Sequence, residues 1–218
     1  MVELRKSSQE AIVKGLVPQR YPLRASQDLL LLGLWMAIGA GLRFAQLTAK
    51  PPWTDEFATL VFSLGNPYQS IPLNQVVPID VLLQPLKPDP EAGVGDVVAL
   101  LLHGDNHPPI YFVLAHWWMK LFPQGEPVNL WAARSLPALL GVLSIPSTYV
   151  VARSAFASRT AAQWASAMMA VSPYAVFLAQ EARHYTLAIL FVIASLGCLI
   201  VASRYLIQGV TLPIWLIL

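Results

Sequence analysis

The sequence predicts an all-α integral membrane protein, and three observations agree on this fold class. Hydrophobic residues make up 56% of the 218 positions and charged residues only 12%, and the mean hydropathy of +0.56 exceeds that of a soluble domain of average composition. Four apolar windows are long enough to cross a bilayer, which takes about 20 helical residues. The ionisable residues lie mostly outside those windows, as expected for spans that face lipid.

The chain opens with a polar segment, residues 1–27, that is predicted to lie in the cytoplasm. This segment carries five basic residues before the first apolar window, namely Arg5, Lys6, Lys14, Arg20 and Arg24. The positive-inside rule places such a segment on the cytoplasmic side. Because no small-residue cleavage site follows, we expect a retained first helix rather than a signal peptide.

Residues 28–218 form the predicted membrane module. Its spans are expected at residues 29–47, 131–152, 160–179 and 185–203, and a further helix starts near Thr211. Arg153 and Arg159 then lie between the second and third spans and Arg204 follows the fourth, which puts all three on the cytoplasmic side. Because the sequence stops inside the last apolar run, we expect it to be the amino-terminal piece of a longer protein.

The long segment between the first two spans, residues 48–130, is predicted to be an outer loop of short juxtamembrane helices. It holds eight acidic residues against three lysines, as expected on the outer side. Within it, residues 108–123 are apolar. If they spanned the membrane, Arg153 and Arg159 would face outward, so we predict an interfacial helix with Trp117 and Trp118 as its anchors. His116 and Lys120, four residues apart, would form its polar face.

The stretch "WTDEFATL" places Asp55 and Glu56 where the chain leaves the first span. Adjacent residues on a helix project about 100° apart, so one carboxylate can act at a site while the other supports it. The alternative is an acidic first turn of a helix, capped by Thr54 and favoured by the helix dipole.

A second polar cluster is "HGDNHPPIY", in which Asp105 and His107 could ligate a divalent metal ion. The alternative is a helix start prepared by the two prolines. Arg43 and Arg134 lie near the outer ends of the first and second spans. With Arg183 they could form a phosphate cradle, because guanidinium groups match phosphate oxygens, or they could extend to the lipid headgroups.

These motifs, in this order, resemble the amino-terminal half of GT-C glycosyltransferases of the group that contains protein O-mannosyltransferases and the aminoarabinose transferases of lipid A (glycosyltransferase family 39). The similar stretches are "PPWTDEFATL", "GDNHPPIYFVLAHWWMKLF", "NLWAARSLPALLGVLSIPSTYVVAR" and "AVSPYAVFLAQEARHYTLAILF". The resemblance extends over nearly all of residues 28–205. It implies a multi-span GT-C helical bundle with outer juxtamembrane helices, here truncated.

The resemblance also implies a function, which is transfer of a hexose or pentose from a polyprenyl-phosphate donor to a protein, lipid or glycan acceptor. The active face would be extracytoplasmic, on a multi-pass protein of the inner or plasma membrane. Asp55 matches the catalytic base and Glu56 would support it. The residues that match the pocket for the donor phosphate and a divalent metal are Asp105, His107, Arg134, Glu181, Arg183 and Tyr185, with Arg43 nearby. Some relatives carry a Glu-Lys pair where this chain has Asn106 and His107, and this fragment alone is expected to lack part of the donor groove.

Other function classes receive less support from the sequence. The basic residues do not cluster, so no nucleic-acid partner is expected, and the single Cys198 excludes a disulfide within the chain. A transporter or channel fragment would place ionisable residues at mid-membrane, whereas the centres of the predicted spans are almost free of charge. The predicted topology places Asp55, Asp105, Arg134 and Glu181 together on the outer face. A catalytically silent membrane scaffold is the remaining alternative, in which this convergence would be incidental.

Overall fold

A computed structural model describes residues 25–67, 72, 74–123, 125 and 127–207. Every regular element in these ranges is helical. The predicted helix beginning at Thr211 and most of the predicted cytoplasmic segment lie outside the described residues. The described helices, with one 3₁₀ turn at Gln84–Leu86, are α1 (Ala25–Phe44), α2 (Thr54–Leu64), α3 (Ile79–Leu83), α4 (Val94–Gly104), α5 (Ile110–Lys120), α6 (Leu130–Phe156), α7 (Arg159–Val171), α8 (Pro173–Ala179) and α9 (Tyr185–Ile207).

Three of these helices are long and apolar enough to cross a membrane, and they confirm an all-helical, membrane-compatible fold. They cover Ala25–Phe44, Leu130–Phe156 and Tyr185–Leu206. Their outward faces carry large exposed side chains such as Leu30, Leu34 and Leu199, which suits contact with lipid. The orientation of the helices in a membrane stays a prediction.

The contacts between the long helices are made by small residues. Alanine, glycine and serine dominate the buried positions of α6, and alanine those of α7 and α8, as is typical of helices that approach closely in membranes. A Cβ atom added at Gly39 of α1 would lie 2.3 Å from Cδ1 of Ile145. One added at Gly141 of α6 would lie 2.8 Å from Cβ of Ala179. These two glycines therefore set the spacing of α1 and α8 against α6.

The third predicted span, residues 160–179, differs from the expected single helix, because α7 and α8 are separated at Ser172. Pro173 has no backbone N–H, and a residue before proline favours extended backbone over helix. Ser172 accordingly has φ −58° and ψ 118°, and its hydroxyl accepts a hydrogen bond from the N–H of Ala175. The 13 residues of α7 reach roughly 20 Å, less than the hydrocarbon core of about 30 Å.

Arg43 compensates for the break between α7 and α8. Its guanidinium is fully buried and donates hydrogen bonds to the carbonyls of Met169 and Ala170 at 2.9 Å each. These carbonyls belong to the last turn of α7, where no intrahelical partner exists. A positive group is also favoured there by the helix dipole. Arg43 therefore closes a helix end inside the bundle.

The segment between α1 and α6 folds into the short helices α2 to α5 and their connections. Two apolar clusters hold it together, one around Leu60, Val61 and Met119 and one around Phe62 and Val97. The prediction of short helices here agrees with the structure, whereas their position at the outer interface stays a prediction. The 11 residues of α5 span roughly 16 Å.

The polar face predicted for α5 is wrong at His116. The side chain of His116 is only 3% exposed, because its Nδ1 bonds to the carbonyl of Ser63 on α2 at 2.8 Å. Trp118, predicted as an interface anchor, instead donates its indole N–H to the hydroxyl of Ser135 on α6 at 2.9 Å. Trp117 is 57% exposed and keeps the geometry expected of an anchor.

Candidate functional site

All predicted site residues except Arg43 lie in or near the connection between α8 and α9, residues 180–184. Glu181, Arg183 and His184 lie there, and Ala182 and Arg183 are both buried. The connection runs between the start of α2 and the segment that precedes α5. It brings together motifs that are more than a hundred residues apart in the chain.

Glu56 forms a buried ion pair with Arg134. The Glu56 carboxylate is fully buried, and its two oxygens accept hydrogen bonds from Nε and Nη2 of Arg134 at 2.7 Å each. Oε1 also accepts the backbone N–H of Ala182 at 2.7 Å. The remaining nitrogen, Nη1, donates to the carbonyls of Leu47 and Lys50. Arg134 thus joins the end of α1, α2 and α6 and is committed to protein partners rather than to an open phosphate cradle.

Asp55 has the opposite environment. Its side chain is 51% exposed, and Oδ2 lies 3.7 Å from Nη2 of Arg183. It occupies the first turn of α2, where the helix dipole favours an ionised carboxylate. The predicted cap by Thr54 is wrong, because Thr54 is the first helical residue and the capping position, Trp53, makes no side-chain bond to the helix.

Arg183 holds the start of α2 in place. Its Nη1 donates to the carbonyl of Asp55 at 2.9 Å and to the hydroxyl of Thr59 at 2.7 Å. The guanidinium carbon lies 6.0 Å from the ring centre of Trp53 and 5.4 Å from that of Tyr185, within reach of cation–π attraction. The backbone that carries the exposed carboxylate of Asp55 is therefore held by Arg183, whose positive charge lies close to that carboxylate.

Asp105 and His107 form a second polar group beside this one. Nδ1 of His107 and Oδ1 of Asp105 are 2.7 Å apart, and the N–H of Asn106 donates to the same oxygen at 2.7 Å. Desolvation opposes ionisation of Asp105, but the hydrogen bonds from His107 and Asn106 outweigh it and bring the pKa of Asp105 below its ordinary value. The His107 ring lies 5.2 Å from that of His184, which links this group to Arg183.

Tyr111 is buried, and His184 lies half-buried beside it. Their ring centres are 6.4 Å apart, and within the described residues neither Nδ1 of His184 nor the hydroxyl of Tyr111 has a hydrogen-bond partner. Burial, followed by the charges of Arg183 and His107, lowers the pKa of His184. A neutral imidazole is therefore favoured at this position.

A cavity of about 770 Å³ opens next to the connection between α8 and α9. Its polar wall is formed by Lys50, Trp53, Glu56, Arg134 and Glu181, and its apolar wall by Tyr174, Phe177, Leu178 and Tyr185. This combination suits an amphipathic ligand with a polar head and an apolar tail. The volume falls within the range of small-molecule pockets.

Glu181 is the cavity's titratable acid with an altered pKa. Burial raises the pKa of Glu181, and the nearby charge of Glu56 raises it further, against the hydrogen bond from the Trp53 indole and the charges of Arg134 and Arg183. Glu181 thus gains a proton more readily than an ordinary glutamate. The other carboxylate of the cavity lining, Glu56, is bonded to Arg134.

The predicted site residues divide into three groups. Glu56, Arg134, Glu181 and Tyr185 line the cavity. Asp55, Arg183, Asp105 and His107 lie beside it in a chain of contacts that runs through His184. Arg43 is held in the bundle by α7 carbonyls, and its predicted place in a phosphate cradle does not match this geometry.

Lys50 and Trp53 are among the cavity residues that were not predicted as site residues. The ammonium of Lys50 has no hydrogen bond or ion pair within the described part of the chain, and it is exposed at the cavity wall. The position of Lys50 and Trp53 in the sequence could have indicated a role at the site, because they flank two prolines directly after the first span.

The predicted metal ligands Asp105 and His107 are adjacent but make a pair only. Among the described residues, no group of three or more His, Cys, Asp or Glu side chains is placed to hold a metal ion. Binding of a divalent metal here stays a prediction. Comparison of the chain with protein-family models, with curated proteins and with solved structures finds no match.

Proposed function

We propose that this chain is part of a membrane glycosyltransferase that moves a sugar from a polyprenyl-phosphate donor to an acceptor on the extracytoplasmic face. The observation that carries the proposal is the amphipathic cavity beside an exposed carboxylate. The cavity offers Lys50 and Trp53 to a polar headgroup and the aromatic side chains of α8 to a lipid chain. Asp55 lies two residues from Trp53, on the first turn of α2.

The reaction assigns one role to each carboxylate. The acceptor oxygen attacks the anomeric carbon of the donor sugar, and the bond from that carbon to the phosphate oxygen breaks. The polyprenyl phosphate leaves with the electron pair, and Asp55 takes the proton of the acceptor. Glu56 keeps its ion pair with Arg134, which holds the first turn of α2 in position.

Charge on the leaving phosphate would be stabilised by cationic groups near the cavity. Lys50 has an uncommitted ammonium within the described residues, whereas the Arg134 donors bond to Glu56, Leu47 and Lys50. Lys50 is therefore better suited to this role than Arg134. A divalent metal at Asp105 and His107 would supply the same stabilisation if it binds there.

The proposal is tested by assaying membranes that contain the full-length protein with a panel of labelled polyprenyl-phosphate hexoses and pentoses. We expect label to move from the lipid to a membrane acceptor with at least one donor, and not in membranes that lack the protein. Absence of transfer with every donor, with the protein present and folded, would favour the non-catalytic scaffold. Donor-independent movement of a solute across the membrane would favour the transporter alternative.

A further inference from the structure

A second cavity, separate from the one beside α8, lies under the connection between α3 and α4. Its volume is about 230 Å³. Its lining residues are Ser63, Leu64, Pro88, Asp89, Pro90, His116, Met119 and Lys120. None of them lines the first cavity, and no predicted site residue is among them.

The lining contains two buried polar side chains with unused bonding capacity. Ser63 is 1% exposed, and its hydroxyl has no hydrogen-bond partner among the described residues. His116 is 3% exposed and uses Nδ1 to contact the carbonyl of Ser63. Since a carbonyl only accepts, Nδ1 is the donor in that contact, which leaves Nε2 available to a ligand. A buried hydroxyl without a partner costs free energy, which a ligand in the cavity would recover.

The wall opposite these two residues is held in a fixed position. The side-chain amide of Asn66 donates to the carbonyls of Pro85 and Lys87 at 2.7 and 2.8 Å. At the other end of the same connection, Nζ of Lys120 donates to the carbonyl of Ala92 at 2.6 Å. Bonds on both sides of Pro88 to Pro90 preform the cavity, which reduces the entropy lost on binding.

The charges of the lining favour a neutral ligand with both donors and acceptors. Lys120 contributes a cation with donors left over after its bond to Ala92, and Asp89 contributes a carboxylate. An anionic ligand would be repelled by the carboxylate of Asp89, and a cationic ligand would be repelled by the ammonium of Lys120. A molecule with several hydroxyl groups can instead accept from Lys120 and Ser63 and donate to Asp89 and His116.

The volume restricts the size of this ligand. At about 30 Å³ per water molecule, the cavity of about 230 Å³ corresponds to roughly eight waters, which is room for one sugar ring and too little for a lipid or a folded peptide. We propose that this cavity binds a single neutral sugar ring, held by Ser63, Asp89, His116 and Lys120. The site is independent of the proposed transfer activity, because its occupation requires no reaction.

The test is binding of free monosaccharides to the purified full-length protein in detergent, measured by isothermal titration with D-glucose, D-mannose, D-galactose and D-arabinose. The informative variant is Ser63→Ala, because it removes a hydroxyl that makes no hydrogen bond within the described part of the chain and so leaves the fold intact. We expect about a fivefold weaker Kd for the bound sugar, as for loss of one hydrogen bond, and a similar loss in Asp89→Asn. Ser195→Ala is the matched control, since its hydroxyl bonds within α9 to the carbonyl of Phe191.

The binding of sugars to the wild type and the variants supports or overturns the proposed sugar site. Sugar binding that weakens in Ser63→Ala and Asp89→Asn but not in Ser195→Ala supports it. No heat from any of the four sugars would overturn it, as would binding that both variants leave unchanged. Glycine, added as a zwitterion of similar polarity, should not compete, and displacement of the sugar by glycine would reject the neutral class of ligand. Binding can fail while transfer activity persists, so this site and the proposed function are judged separately.

Discussion

At the scale of single residues, the two adjacent carboxylates of α2 have opposite surroundings. Glu56 is fully buried and bonded to Arg134 and Ala182, whereas Asp55 is half exposed with one distant cation. The difference follows from their 100° separation on the helix, which turns one toward α6 and leaves the other at the surface. Glu56 is thus suited to stabilise the fold, and Asp55 is suited to react.

This difference predicts unequal effects on stability. Glu56→Gln leaves the Arg134 guanidinium buried without its counter-ion, and breaking such a pair costs about 3 to 5 kcal/mol in the free energy of unfolding. Asp55→Asn removes a partly exposed charge and should cost less than about 1 kcal/mol. Thermal unfolding in detergent measures both. An equal loss of stability in the two variants would contradict the structural role assigned to Glu56.

Glu181 predicts a dependence of stability on pH. Its pKa is higher in the folded chain than its ordinary value of 4.5, so the folded state retains a proton that the unfolded state has released. Stability attributable to Glu181 therefore falls as pH rises from 4.5 through the folded pKa. Glu181→Gln removes this penalty, so the difference in Tm between variant and wild type should grow between pH 4.5 and pH 7. A difference that stays constant with pH would refute the shift.

At the scale of helices, hydrophobicity predicted the long elements well. The windows 29–47, 131–152 and 185–203 correspond to Ala25–Phe44, Leu130–Phe156 and Tyr185–Ile207, because about 20 apolar residues in a row leave few alternatives to a helix. Hydropathy predicts one helix over residues 160–179, because an average over the whole window is insensitive to the single residue Pro173. The local backbone preference of Ser172 before that proline decided the structure instead.

Helix spacing yields a prediction about two glycines of α1. Gly39→Ala places a methyl group against Ile145 at 2.3 Å before relaxation and should destabilise the bundle by about 1 to 3 kcal/mol through overpacking. Gly33→Ala meets nothing within 4 Å and should be neutral or stabilising by up to about 1 kcal/mol, since alanine is the better helix former. Their unfolding temperatures in detergent provide the check. Similar values for both variants would contradict the close approach of α1 and α6.

At the scale of the whole molecule, the sequence predicted the regions that meet but not their pairings. The motifs around Asp55, Asp105 and Glu181 do lie together, as the shared side of the predicted topology suggested. The partner of Glu56 could not be predicted, because Arg134 is 78 positions away in the sequence. The sequence left two roles open for Arg134, binding a phosphate or extending to the lipid headgroups, and neither indicated a carboxylate partner. Arg43 and Arg134 have equivalent positions in the sequence, near the outer ends of predicted spans. The break between α7 and α8 leaves carbonyls that bond to Arg43, and this explains why its side chain points inward.

The same arrangement explains how a cavity can form at one end of an otherwise closely packed bundle. Small residues bring α1, α6 and α8 together, while the end of α1 is tied down by Gln180, whose amide donates to the carbonyls of Leu42 and Ala45. The connection after Gln180 then leads into α9, which packs against α6. The space between this connection and residues 45–53 is the cavity.

The most direct test of the central claim is the pH dependence of sugar transfer by the full-length protein with Asp55 altered. Asp55→Asn and Asp55→Glu are compared with wild type at equal amounts of folded protein, using the donor that gives transfer. A positioned general base contributes about 10²- to 10⁴-fold, so we predict a loss of that size in Asp55→Asn and partial activity in Asp55→Glu with a shifted acidic limb. Wild-type rates and pH dependence in Asp55→Asn would contradict the account and exclude this carboxylate as the base.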